Sequence, residues 1–302
     1  MITSFIGIDW SGAQGPRQPG IQLAIAKQGR GVPISVSPED GRSWGRDGIL
    51  SWLLEAAETG PVMAGIDFAF AHPFVDEGAY YPGLAASPHS PVELWNLIEG
   101  ISVQAPHLYG GAMFAAAGFG DFYLSPKNHG APNYASRRRV TEGAARAAGR
   151  SPSPTFKAIG ADNVATGSMA GMRLIHALKS ALGSRLAVWP FDPVFESESN
   201  LNRGLAMILV EIFPSYYFHR AGLNPAKNAA ADPGFMTAAL AAYDSDGVAR
   251  DYVPKGADAD ESDALISAAA LRHFAREPWC WQVPDAALTE GWIFGVPQGA
   301  ST

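Results

Sequence analysis

A single cysteine, Cys280, in 302 residues excludes an internal disulfide and any zinc site built on paired thiolates, and it suits a reducing compartment. Charge is scarce too. Charged residues make up 17% of the chain and hydrophobic ones 47%, which excludes a polymer kept open by self-repulsion. No apolar run approaches the ~18 residues of a membrane-spanning helix. The longest, residues 205–213, is interrupted by Glu211. The N-terminus lacks the basic segment and small-residue cleavage site of a secretory leader, so the expected location is the cytoplasm with no membrane partner. Also missing are a Walker A loop, a dinucleotide glycine fingerprint, a zinc-binding HExxH and a Gly-x-Ser-x-Gly elbow. The net charge of −7 argues against a surface coated by nucleic acid.

What is present has an order. At roughly 150 residues per domain, the length allows two domains or one with a large insertion. Residues 5–9, 21–26 and 32–36 read as strands too close together for intervening helices, hence an antiparallel meander. Residues 47–58 form a helix pattern, with Ile49, Leu50, Leu53, Leu54 and Ala57 on one face and Gly60-Pro61 ending it. Residues 62–67 are the next strand, most simply parallel to an earlier one through a right-handed crossover. From 71 to 165 periodicity fails, apart from helix patterns at 91–103 and 140–148, and the stretch reads as an inserted subdomain or lid. Regular structure then resumes. A helix capped by Ser168 runs to Leu182, strands cover 186–189 and 205–213, and helices cover 233–243 and 260–276. The expected organisation is a core of residues 1–70 and 166–302 interrupted by 71–165.

Three apolar strands end in, or near, an acid: Asp9, Asp67 and Glu211. One such acid is ordinary turn chemistry, but three invite another explanation. Ligands of open α/β sheets sit beyond the carboxyl ends of parallel strands, where these acids would converge and repel. A divalent cation relieves that repulsion. Asp260, Glu261 and Asp263 open the last long helix, with Asp260 and Asp263 on one face. Hard oxygen ligands without paired His or Cys point to Mg²⁺ or Mn²⁺. Carboxylates around two such ions suit in-line displacement at phosphorus.

Four blocks carry a family resemblance: Ile6-Gly7-Ile8-Asp9, Gly65-Ile66-Asp67, Leu209-Val210-Glu211-Ile212-Phe213-Pro214 and Asp260-Glu261-Ser262-Asp263-Ala264-Leu265. In content and order they resemble the predicted ribonuclease-H-like nucleases known as domain of unknown function four-twenty-nine. The resemblance covers about residues 4–70 and 165–280. It implies an α/β fold with a mixed five-stranded sheet, three strands antiparallel and then two parallel, flanked by helices. It also implies a metal-dependent phosphodiester-cleaving site in which Asp9, Asp67, Glu211 and Asp263 are the metal carboxylates and Asp260 an extra or substitute ligand. The sequence departs from the family after Asp67, where Phe68-Ala69-Phe70-Ala71-His72 precede the proline.

Basic residues concentrate between 125 and 160. Lys127, Arg137, Arg138, Arg139, Arg146, Arg150 and Lys157 stand there against Glu142 alone, and they are candidates to neutralise the phosphates of a nucleic acid or nucleotide. Tyr123, Tyr134 and Phe156 are candidates to stack bases. His72 and His129 are candidates to orient a water or protonate a leaving group, and Trp10 and Phe68 to wall the site. Two other readings stand beside the nuclease. One is an actin-like ATPase or sugar-kinase relative, from the Asp9-Trp10-Ser11-Gly12-Ala13 turn. The other is a non-catalytic binding module on a decayed nuclease fold.

Overall fold

The computed structural model describes residues 2–126, 128–160, 163–197, 200–201, 204–225, 229–254 and 260–298. β1 (Ser4–Asp9), β2 (Gln22–Lys27) and β3 (Ile34–Val36) come first, followed by α1 (Arg46–Glu58) and β4 (Val62–Ile66). α2 (Pro91–Ser102) and α3 (Val140–Ala147) lie in the long middle segment. Next are α4 (Ala165–Leu182), β5 (Leu186–Val188), and a separate small ribbon of β6 (Phe195–Ser197) and β7 (Asn200–Leu201). β8 (Met207–Glu211), α5 (Pro214–Arg220), α6 (Pro233–Ala241), α7 (Asp260–Phe274) and α8 (Ala287–Glu290) complete the chain.

The main sheet runs β3-β2-β1-β4-β8-β5. β1 pairs antiparallel with β2, and β2 with β3. β1–β4, β4–β8 and β8–β5 are all parallel. The sheet is therefore mixed and α/β as expected, but it has six strands where the resemblance implies five. The extra one is β5, whose Leu186–Val188 run is too short to declare its place by periodicity.

Alternation along the strands explains the layers, because successive side chains point to opposite faces. Ile6, Ile8, Ala64, Ile66, Met207 and Leu209 pack in one buried cluster with residues of α1, α2 and α4. Phe5, Met63, Ile208 and Val210 pack in the other with residues of α5, α6 and α7. The 71–165 segment shares the first cluster through Tyr80, Tyr81, Trp95, Tyr123 and Phe156. α7 lies directly across β1. Gly7 makes that approach possible, since a Cβ there would come within 2.4 Å of the Ala264 carbonyl oxygen.

Two helices differ from their sequence reading. α4 begins at Ala165, and Ser168 is buried inside it, its hydroxyl accepting from the Ala69 N–H at 3.1 Å. Asn163 takes the capping role, its side-chain oxygen accepting from the Thr166 N–H at 3.3 Å. The apolar run 205–213 ends as strand at Glu211, and the Pro214 ring opens α5 in its place. Among the described residues no helix is long and apolar enough to cross a membrane.

Candidate functional site

The parallel register aligns the strand ends. Gly7 faces Gly65 and Ile8 faces Ile66, so Asp9 and Asp67 emerge at equivalent steps. Ile66 faces Glu211 on the next strand. The Asp67 N–H closes the ladder by donating to the Ile8 carbonyl at 3.1 Å. α7, pressed onto β1 above Gly7, brings Asp260 and Asp263 to the same end.

The aspartates are close enough for their charges to be felt at Asp9 and Asp263. Burial holds the Asp9 carboxyl well above the usual carboxylate range, and Asp263, Asp67 and Asp260 push it further, against the Trp10 N–H at 3.0 Å. Asp263 is raised in the same way, by burial and then by Asp67 and Asp260. Asp67 is pushed up to about 7, by burial and then by the neighbouring Glu211. Among the described residues, Asp67 and Asp263 accept no hydrogen bond and no cation offsets their charge. The donor set is all hard oxygen. No group of three His, Cys, Asp or Glu side chains stands ready-made around a single point among the described residues.

Glu211 is placed differently. Arg139 grips both its oxygens, Nη2 on Oε1 at 2.6 Å and Nη1 on Oε2 at 2.7 Å, and the Phe70 N–H donates to Oε2 at 3.2 Å. Arg139 Nε donates to Glu142 at 2.9 Å and Nη1 to the Glu290 carbonyl at 3.1 Å. Burial opposes the Arg139 charge, but Glu211 and then Glu142 outweigh it and hold the guanidinium firmly protonated. Burial dominates at Glu142, whose carboxyl is pushed up to about 7 despite Arg139.

The other basic candidates divide. Arg137 is committed to Asp76 and to the carbonyls of Pro73, Ala79 and Tyr80. Arg138 is half-buried and donates to the Pro152 carbonyl. Lys127 lies outside the described residues. His72 is fully buried away from the site, between Thr155 at 3.0 Å and Tyr123 at 2.8 Å, and burial depresses its pKa to about 3. It is a neutral core histidine.

A cavity of about 570 Å³ opens over the strand ends. Its lining includes the charged side chains of Asp67, Glu211, Arg139 and Glu142. It also includes the aromatic rings of Trp10, Phe68 and Phe213, the 11–13 turn and the start of α4. The Trp10 ring N–H donates to the Gly167 carbonyl at 3.0 Å. Gly12 lets the turn touch α4, since a Cβ there would lie 2.3 Å from the Gly167 nitrogen.

Sequence reasoning missed two groups. Glu290 is buried and accepts the N–H groups of Phe74 at 2.6 Å, Val75 at 2.8 Å and Val140 at 2.7 Å, tying the middle segment down beside the site. Arg46 is fully buried and holds the 11–13 turn. Neither carries a local pattern, since their partners lie far away in the chain.

No family model matches the chain, and neither a curated protein nor a solved structure matches it.

Proposed function

We propose that the chain is a metal-dependent phosphodiester hydrolase, a nuclease or a nucleotide-acting relative, on a ribonuclease-H-like sheet. The observation that carries the reading is the set of Asp9, Asp67, Asp260 and Asp263, gathered at the carboxyl ends of parallel strands close enough that Asp67 and Asp260 raise the pKa of both Asp9 and Asp263, with Asp67 lining a cavity. Neighbours β3-β2-β1-β4-β8 run antiparallel and then parallel in the order the resemblance implies, with β5 added at the edge.

The donor chemistry fits Mg²⁺ or Mn²⁺. Such an ion supplies charge stabilisation at phosphorus and acidifies water. Asp9 and Asp67 would hold it, with Asp263 and Asp260 completing a second position. Glu211, fixed by Arg139, raises Asp67 and so tunes how that carboxylate divides between proton and cation. Trp10, Phe68 and Phe213 shield the reacting end from bulk water. In the hydrolysis, the oxygen of water bonds to phosphorus, one P–O ester bond breaks and the leaving oxygen takes a proton.

The test is thermal melting with MnCl₂, with MgCl₂ and without either. A bound ion stabilises by about 2.7 kcal/mol at a hundredfold excess over its Kd. Asp9→Asn should abolish the shift and raise the melting temperature of the metal-free protein by relieving repulsion. A wild-type protein unmoved by either ion, or an Asp9→Asn protein that keeps the shift, sinks the reading. A shift with ATP–Mg²⁺ that the bare ion does not give would favour a phosphotransferase.

A further inference from the structure

The cavity is small and nearly devoid of free positive charge, and this bears on which phosphodiester it takes. Its volume, about 570 Å³, lies inside the range of ~300–1,000 Å³ typical of small-molecule sites. Proteins that hold a duplex neutralise a run of phosphates with free Lys and Arg. Here one basic side chain, Arg139, stands in the cavity wall, and its guanidinium is spent on Glu211 and Glu142. Arg137 is spent on Asp76. Of the three consecutive arginines only Arg138 makes no ion pair among the described residues, and it donates to the carbonyl of Pro152, a residue that lines the cavity.

Apart from Arg139 and the carboxyl groups of Asp67, Glu142 and Glu211, the polar side chains of the lining are uncharged. Ser151 offers a hydroxyl, and Asn163 and Thr166, hydrogen-bonded to each other at 3.1 Å, keep further donor and acceptor capacity, which matches sugar hydroxyls and base edges rather than a row of phosphates. The aromatic wall is also uneven. Trp10 and Phe68 are buried and packed on each other, with ring centroids 5.6 Å apart. Phe213 is half-buried against the second core cluster, lines the cavity and forms no ring pair among the described residues. The part of its flat ring that faces the cavity offers a stacking surface for a base.

Resting on the hydrolase reading above, we infer that the substrate is a small phosphodiester of one or two nucleosides, or a frayed strand end, and not a duplex. Phe213 stacks a base and Arg138 meets a phosphate.

The test measures cleavage of the thymidine dinucleotide TpT, a long single strand and a blunt duplex of the same sequence, each with Mn²⁺. In parallel, the melting shift given by thymidine monophosphate is measured in Mn²⁺. TpT should be cleaved with a kcat/KM at least about tenfold above that of the duplex. Phe213→Ala should raise KM for TpT about tenfold, with the loss in KM rather than kcat, and Phe213→Tyr should restore it. Arg138→Gln should raise KM as well.

Equal cleavage of duplex and TpT, or an unmoved KM in Phe213→Ala, overturns the inference and leaves the hydrolase standing. If nothing is cleaved but Mn²⁺ still shifts melting, the monophosphate decides. A shift lost in Phe213→Ala supports the inference, and no shift, or one that Phe213→Ala keeps, overturns it. No cleavage and no Mn²⁺ shift removes both.

Discussion

Arg139 and Glu211 meet across 72 positions of the chain in a two-pronged ion pair, at 2.6 and 2.7 Å, with both side chains almost fully buried. The pair joins the end of β8 to the residue that precedes α3, and so fastens the middle segment to the sheet. Breaking a buried pair strands its partner, which costs about 3–5 kcal/mol. Arg139→Met strands two carboxylates, Glu211 and Glu142, and should lose at least that much in urea denaturation at neutral pH. Adding Glu211→Gln should recover part of the loss, because it removes one of the stranded charges. A loss under about 1 kcal/mol in the single variant would mean the pair behaves like a solvated surface contact.

The contribution of the clustered aspartates to stability should grow with acidity in the metal-free protein, opposite to the usual behaviour of paired carboxylates. Asp67 is pushed up to about 7, while Asp9 and Asp263 are also raised. A carboxyl raised in the folded state binds protons there that the unfolded chain releases, so its contribution is full below the unfolded pKa, near 4, and is lost as pH rises through 7. Between pH 5 and pH 8 the melting temperature of wild type should therefore fall more, or rise less, than that of Asp67→Asn. Mn²⁺ should shrink the difference, since a cation replaces the proton. Parallel pH profiles for the two proteins would contradict the assignment of Asp67.

The acids at the ends of β1 and β4 were legible because a buried apolar run that stops at an Asp is a local pattern, and the parallel register then places the two side by side. α7 was legible for the same reason: its acidic first turn and apolar body are local. The partnership of Glu211 was not. A carboxylate at a strand end looks the same in sequence whether it faces a cation site or an arginine, and Arg139 belongs to a stretch without periodicity. His72 was open in sequence to a structural or a proton-carrying role, because the Tyr123 and Thr155 contacts that keep it in the core come from distant loops. β5 was legible as a strand but not as a member of the main sheet, because three residues leave no room for alternation.

Gly7 links packing to the site. A Cβ there would lie 2.4 Å from the Ala264 oxygen, 2.6 Å from the Ala268 nitrogen and 2.9 Å from the Ser267 Cβ, so α7 must move to admit it. Gly7→Ala should cost about 1–3 kcal/mol as an overpacked core does. Because the displaced helix carries Asp260 and Asp263, the same variant should also weaken the Mn²⁺ melting shift. Gly100→Ala is the control. It sits in α2 with open space around it, should gain up to ~1 kcal/mol from helix propensity, and should leave the metal shift alone. If Gly7→Ala loses stability but keeps the full shift, the position of α7 does not govern the site.

Arg46 opens α1 and is fully buried with no ion pair among the described residues; burial lowers its pKa to about 10, against the opposing charge of Asp47. Its partners are carbonyls: Nε donates to His107 at 2.7 Å, and Nη1 to Ser11 and Ala13 at 2.9 Å each. Nη2 has no partner among the described residues. Two of those carbonyls belong to the turn that walls the cavity beside Asp9. The third belongs to a pair of residues, His107 and Leu108, held at φ 56° and 53°, a left-handed conformation that non-glycine residues adopt only under constraint. Arg46→Met leaves the His107 and Ser11 carbonyls without their donor, while Ala13 keeps the Gln18 amide at 3.0 Å. At about 1–3 kcal/mol for each buried unpaired group, the variant should lose about 2 kcal/mol or more in urea denaturation. Arg46→Lys should recover only part, since one ammonium on a flexible stem cannot reproduce the fork that reaches both stretches at once. With the turn loosened, Arg46→Lys should also raise KM for TpT, the readout that separates support of the cavity wall from support of the core. A lysine variant equal to wild type in both stability and KM would mean that the charge matters and the fork does not.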